Sequence, residues 1–72
     1  MKKVFEIEDL DCASCAAKIE DAIKKIDGVD FVNVNFVMQN VTLEAADDRW
    51  TDIVKQAKKI VKKVEPDATL RA

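Results

Sequence analysis

Seventy-two residues make one small domain at most, of a size that buries only roughly 60% of its unfolded surface and leaves no room for a large cleft. The composition, 49% hydrophobic and 36% charged with a net charge of −2, is that of a soluble domain and lacks the basic footprint that nucleic acid demands. Apolar runs are far shorter than the roughly 20 residues that span a bilayer, and Glu6, Glu8 and Asp9 interrupt any signal-peptide core after Lys2 and Lys3.

Lys2 to Glu8 reads as a strand: Lys3, Phe5 and Ile7 share one face, with Val4, Glu6 and Glu8 opposite. Residues 14 to 26 read as a helix. Its apolar stripe is Cys15, Ile19, Ala22, Ile23 and Ile26, and Lys18, Glu20, Asp21, Lys24 and Lys25 lie outside it. Gly28, the only glycine, is placed as the positive-φ residue that ends this helix. Phe31 to Phe36 is the next strand, and a polar turn at Met38-Gln39-Asn40 leads into the alternation Val41, Leu43, Ala45, completing a hairpin.

Asp47 and Asp48 are expected to cap a second helix over residues 49 to 64, with the stripe Trp50, Ile53, Val54, Ala57, Ile60 or Val61, and Val64. Pro66 stops it, and Ala68 to Leu70 can form a short last strand. The order βαββαβ makes an α+β fold, the ferredoxin-like sandwich, with a four-stranded antiparallel sheet and two helices on one face. In that topology Leu10 to Cys15, Val37 to Asn40 and Val64 to Asp67 emerge at one end, where function is expected.

The chemistry at that end rests on two cysteines. The chain has no histidine, so the commonest general base and the commonest zinc ligand are both missing, which argues against hydrolysis. Two cysteines without a secretory leader indicate a reducing, cytoplasmic setting, where a close thiol pair is more often a metal or redox site than a staple. Cys12-Ala-Ser-Cys15 places two sulfurs within one turn, able to bite a single ion. The start of a helix also favours the thiolate. A thioredoxin-like redox pair would need a longer chain with another strand order, and metal capture is the reading we carry forward. Cys15 read alone is a small apolar residue of the helix stripe.

L-D-C-A-S-C-A-A-K-I-E, followed a helix length later by D-G-V, resembles the heavy-metal-associated domain over nearly the whole chain, from Val4 to Leu70. That family comprises βαββαβ metallochaperones and the N-terminal modules of heavy-metal P-type ATPases. The resemblance implies that Cys12 and Cys15 are the metal ligands and that metal passes between such domains by ligand exchange. Asp11 adds a hard oxygen beside Cys12. Two thiolates suffice for Cu(I), whereas Zn(II) and Cd(II) call for further donors. D-C-x-x-C is similar to the zinc/cadmium/lead-exporting branch, and the chain has Asp9-Leu10 where the common family start is G-M-x-C.

Asp11 is therefore assigned as a third ligand, against the alternative of a capping or loop carboxylate. Glu65 is a further carboxylate candidate against the default of a surface charge, Asp67 stands behind it, and water can complete the shell. Met38 is expected to pack over the site, Leu10 to act as a lid or core anchor, and Trp50 to be packing. The lysines at 55, 58, 59, 62 and 63 are read as a solvated helix face able to meet an acidic partner.

The expectation is a non-enzymatic module, residues 1–72, excised from the N-terminus of a membrane ATPase. It binds Zn(II), Cd(II) or Pb(II), with Cu(I) behind them, and partners the remaining cytosolic or transmembrane domains of that ATPase without entering the membrane itself. Exposed ligands would also permit a metal-bridged dimer. The alternatives are a free-standing copper or mercury metallochaperone of the same fold and, further back, a thiol–disulfide redox protein.

Overall fold

A computed structural model describes all of residues 1–72. The elements are β1 (Lys2–Glu8), α1 (Ala13–Lys24), β2 (Val29–Asn35), β3 (Asn40–Ala45), a single 3₁₀ turn (Asp47–Arg49), α2 (Trp50–Val64) and β4 (Thr69–Arg71). The strands form one antiparallel sheet in the order β2-β3-β1-β4, so the ferredoxin-like arrangement holds. No helix is long and apolar enough to cross a membrane.

Register explains which residues enter the core. Phe5 pairs with Val41, Ile7 with Leu70, Val32 with Leu43 and Val34 with Val41. These side chains share the face that meets Ala16, Ile19 and Ile23 of α1 and Ile53, Ala57 and Val61 of α2. Ile19 and Val61 are wholly buried, as is Ala68 just before β4. Trp50, half-buried at the start of α2, packs its indole on Phe5 with ring centroids 6.0 Å apart and planes tilted by 31°, a geometry that adds about 0.5–1.5 kcal/mol beyond area burial. The opposite face of the sheet carries the exposed Val4 and Phe31 among polar neighbours.

Several boundaries differ from the sequence expectation. Helix α1 ends at Lys24 rather than residue 26, because Lys25 and Ile26 close back on Ala22 and Ile23 through short-range turns. Its inward face contains Ala16, and Cys15 is only half-buried. Strand β2 starts two residues early at Val29 and carries an irregularity between Val29 and Phe31. β4 starts at Thr69 instead of Ala68. Asp47 and Asp48 do not cap α2. They lie in the 3₁₀ turn with no side-chain cap bond, and Asp47 pairs with the N-terminal amine at 2.9 Å.

Gly28 has the positive φ expected of it, +99°, but in the turn entering β2. A second requirement applies there, since a Cβ would stand 2.9 Å from Arg49 Cδ and 3.2 Å from Ile53 Cδ1. Gly28→Ala therefore combines a left-handed backbone with a steric push against α2. We expect a loss of about 1–3 kcal/mol in urea unfolding, seen as a lower midpoint at unchanged slope. An unchanged midpoint would refute this account of the turn.

Candidate metal centre

Between β1 and α1 the chain reverses in a few residues. Asp9 adopts φ 59°, in the left-handed region, and Leu10 then drops into the core with 1% exposure. That burial settles Leu10 as a core anchor. Cys12 follows as the N-cap of α1, with φ −129° and ψ 121°. It occupies the position where serine or aspartate ordinarily caps a helix. No side-chain hydrogen bond closes the cap, and the first turn of α1 contains no acidic residue, so the positive end of the helix favours negative charge on the Cys12 sulfur.

Both cysteines are free thiols and half-buried. The backbone N–H of Cys15 pulls the Cys12 thiol below its ordinary range, helped by the Cys15 thiol and by Ser14. Cys15 moves the other way: its hydrogen bond to Cys12, desolvation and the negative charge of Glu65 all hold its proton on. The pair therefore favours a thiolate at Cys12 and a protonated thiol at Cys15.

Glu65 owes its place to Pro66. A residue before proline is barred from helical backbone, so α2 stops at Val64 and Glu65 extends at φ −137°, ψ 92°. Its Oε1 accepts from the Asp67 N–H at 3.4 Å, and its Oε2 accepts from the Cys15 thiol at 3.7 Å. The β2–β3 turn reaches the same region through Gln39, whose side chain bonds both backbone groups of Leu10. The three loops therefore converge as the topology required.

The sequence candidates fare unequally. Cys12 neighbours Cys15 at the start of α1, and Cys15 in turn meets Glu65 at 3.7 Å. Asp11 lies exposed beside Cys12, and no group of three or more Cys, Asp or Glu side chains stands ready to hold an ion. Asp67 is exposed and touches Glu65 through its N–H, not the thiols. Met38 is 67% exposed and does not pack over the site, because the turn that carries it is held down by Gln39 and points Met38 outward. Gln39 reads in the sequence as one more polar residue of the Met38-Gln39-Asn40 turn, with no signal of its bonds to Leu10. A cation entering here would meet a thiol pair favouring charge at Cys12, and beside Cys15 the carboxylate of Glu65.

Residues 4–66 match the heavy-metal-associated domain family. The cadmium, zinc and cobalt-transporting ATPase of Bacillus subtilis is 33% identical over 73 residues, covering 99% of this chain but only 10% of the relative, so the chain spans about a tenth of that protein's length. Among solved structures, the Cu(I)-loaded N-terminal domain of a potential copper-translocating P-type ATPase from Bacillus subtilis superposes with a TM-score of 0.79 at 36% identity, covering 97% of this chain and 82% of that one. The apo N-terminal domain of ZntA gives 0.74 at 28% identity, covering 97% and 88%. The chain belongs to the heavy-metal-associated family of metal-binding domains, and its relatives include both zinc-type and copper-type proteins.

The opposed shifts of the two thiols give a direct expectation. As pH rises, Cys12 ionises before Cys15, so limited iodoacetamide treatment of the reduced protein labels Cys12 first. Glu65→Gln removes one of the charges holding the Cys15 proton and narrows the difference. Mass spectrometry reading equal labelling of both cysteines in the parent protein would contradict this electrostatic picture.

Proposed function

We propose that this heavy-metal-associated domain captures a divalent soft or borderline ion, Zn(II), Cd(II) or Pb(II), through Cys12 and Cys15, with carboxylate oxygen from Asp11 and Glu65. The observation that carries the reading is the free thiol pair at the start of α1 with the Glu65 carboxylate 3.7 Å from the second sulfur. Thiolates alone favour Cu(I), whereas added oxygen donors suit ions that carry two charges and call for four ligands. Asp11 and Glu65 differ in readiness. Glu65 is already turned inward, and Asp11 would swing in from solvent once the ion is held.

The role that fits is the N-terminal module of a cytosol-facing, heavy-metal-exporting P-type ATPase, loading or regulating the rest of that protein. The match to a cadmium, zinc and cobalt-transporting ATPase along 99% of the chain supports it. Half-buried ligands at the loop-to-helix junction suit an ion that must be handed on, because an incoming thiolate can attack before the outgoing one has left. The same openness allows two copies to share one ion.

Affinity measurements on Asp11→Asn and Glu65→Gln test the division of labour. Each variant of the reduced chain is expected to lose about tenfold in Zn(II) and Cd(II) affinity in chelator competition, roughly 1.4 kcal/mol, with Cu(I) affinity unchanged. Unaltered affinities for all three ions in both variants would remove the basis for divalent selection.

A further inference from the structure

Cys15 sits on a helix, a rigid support, but Cys12 is carried by the loop from β1, so the distance between the sulfurs depends on what holds that loop. Gln39 alone does so by side-chain hydrogen bonds. Its Oε1 accepts from the Leu10 N–H at 3.2 Å, and its Nε2 donates to the Leu10 C=O at 2.5 Å and to the Phe36 C=O at 3.2 Å. Leu10 belongs to no helix or strand and has no backbone partner for either group. The Gln39 amide takes the place of a neighbouring strand there, satisfying a buried residue's backbone from 29 residues away in sequence.

Gln39 is itself held firmly. Its C=O accepts from the Ile7 N–H at 3.0 Å, and its backbone takes φ 54° in the left-handed region. Asn35 Oδ1, accepting from the Met38 N–H at 2.9 Å, braces the turn around it. A rigid chain of bonds therefore runs from the β2–β3 turn to the residue immediately before Asp11 and two before Cys12.

From this geometry we infer that Gln39 is a positioning residue of the metal centre, setting the bite of Cys12 against Cys15 and the approach of Asp11. The inference rests on the metal-capture reading above and adds to it the residue that organises the loop. Groups hydrogen-bonded directly to a metal ligand are worth roughly ten- to a hundredfold in metal affinity, and Gln39, acting one link further out through Leu10, is expected at the lower end of that range.

The test uses Gln39→Leu, close in size but unable to bond, and Gln39→Glu, which retains the acceptor for the Leu10 N–H and loses both donations. Glu20→Leu serves as a control, because Glu20 Oε1 likewise accepts a backbone N–H, that of Val34 at 2.9 Å, on another part of the sheet. Two readouts are taken: amide exchange at Leu10 in the metal-free chain, and Cd(II) affinity by chelator competition. Gln39→Leu is expected to speed Leu10 exchange and to weaken Cd(II) about tenfold, Gln39→Glu to keep Leu10 exchange closer to the parent while still weakening Cd(II), and Glu20→Leu to change neither. Parent-like Cd(II) affinity in Gln39→Leu, with the fold intact by its amide spectrum, overturns the inference alone. A parent chain that fails to bind Cd(II) overturns the capture reading and this inference with it.

Discussion

Between Glu8, the last residue of β1, and Ala13, the first of α1, the chain must turn from an inner strand of the sheet into a helix packed on it, and Leu10 governs how it does so. Its side chain is driven into the core by the same burial that holds the sheet to its helices. Its backbone is left without a strand neighbour, and Gln39 supplies the missing bonds. With Leu10 fixed inside, Asp11 and Cys12 are forced outward at the rim. A polar residue at position 10 would remove the first of these restraints and leave the loop to the Gln39 bonds alone.

The rest of the proposed metal centre follows from chain ends that meet at that rim. The N-terminus of α1 brings unpaired N–H groups and favours a thiolate at Cys12. The C-terminus of α2, stopped by Pro66, delivers Glu65 to Cys15. The lysines of the last turn of α2, Lys62 and Lys63, answer its own dipole and stay exposed. One sulfur is therefore disposed to lose its proton and the other to keep it, with a carboxylate beside the second. That asymmetry suits a site filled in steps, Cys12 engaging an ion first and Cys15 giving up its proton as the ion arrives.

Much of this was legible in the sequence because it depends on pattern. Period-two alternation at Phe5 and Ile7, the helical stripes and the βαββαβ order determine which loops share an end, and the convergence of the cysteine loop with Glu65 follows from topology alone. The D-C-x-x-C stretch carried the family resemblance. Other features depend on tertiary context that no local pattern records. The apolar stripe of α1 runs on to Ile26, yet the helix stops at Lys24. Asp47 looks like a cap but pairs with the N-terminal amine. Left-handed backbone at Asp9 and Gln39 has no glycine to announce it, and Gln39 differs in nothing but position from a solvated turn residue. Met38 reads as packing from its type, but the turn points it into solvent.

The central claim is that an ion is held at the junction of β1 and α1 by Cys12 and Cys15. The most direct measurement is an NMR titration of the reduced chain with Cd(II), following backbone amides throughout. The account predicts shifts concentrated at residues 9–16, with smaller ones at 37–40 and 64–67, and saturation that Cys12→Ser or Cys15→Ser abolishes. Saturable Cd(II) binding that leaves residues 9–16 unmoved would contradict it.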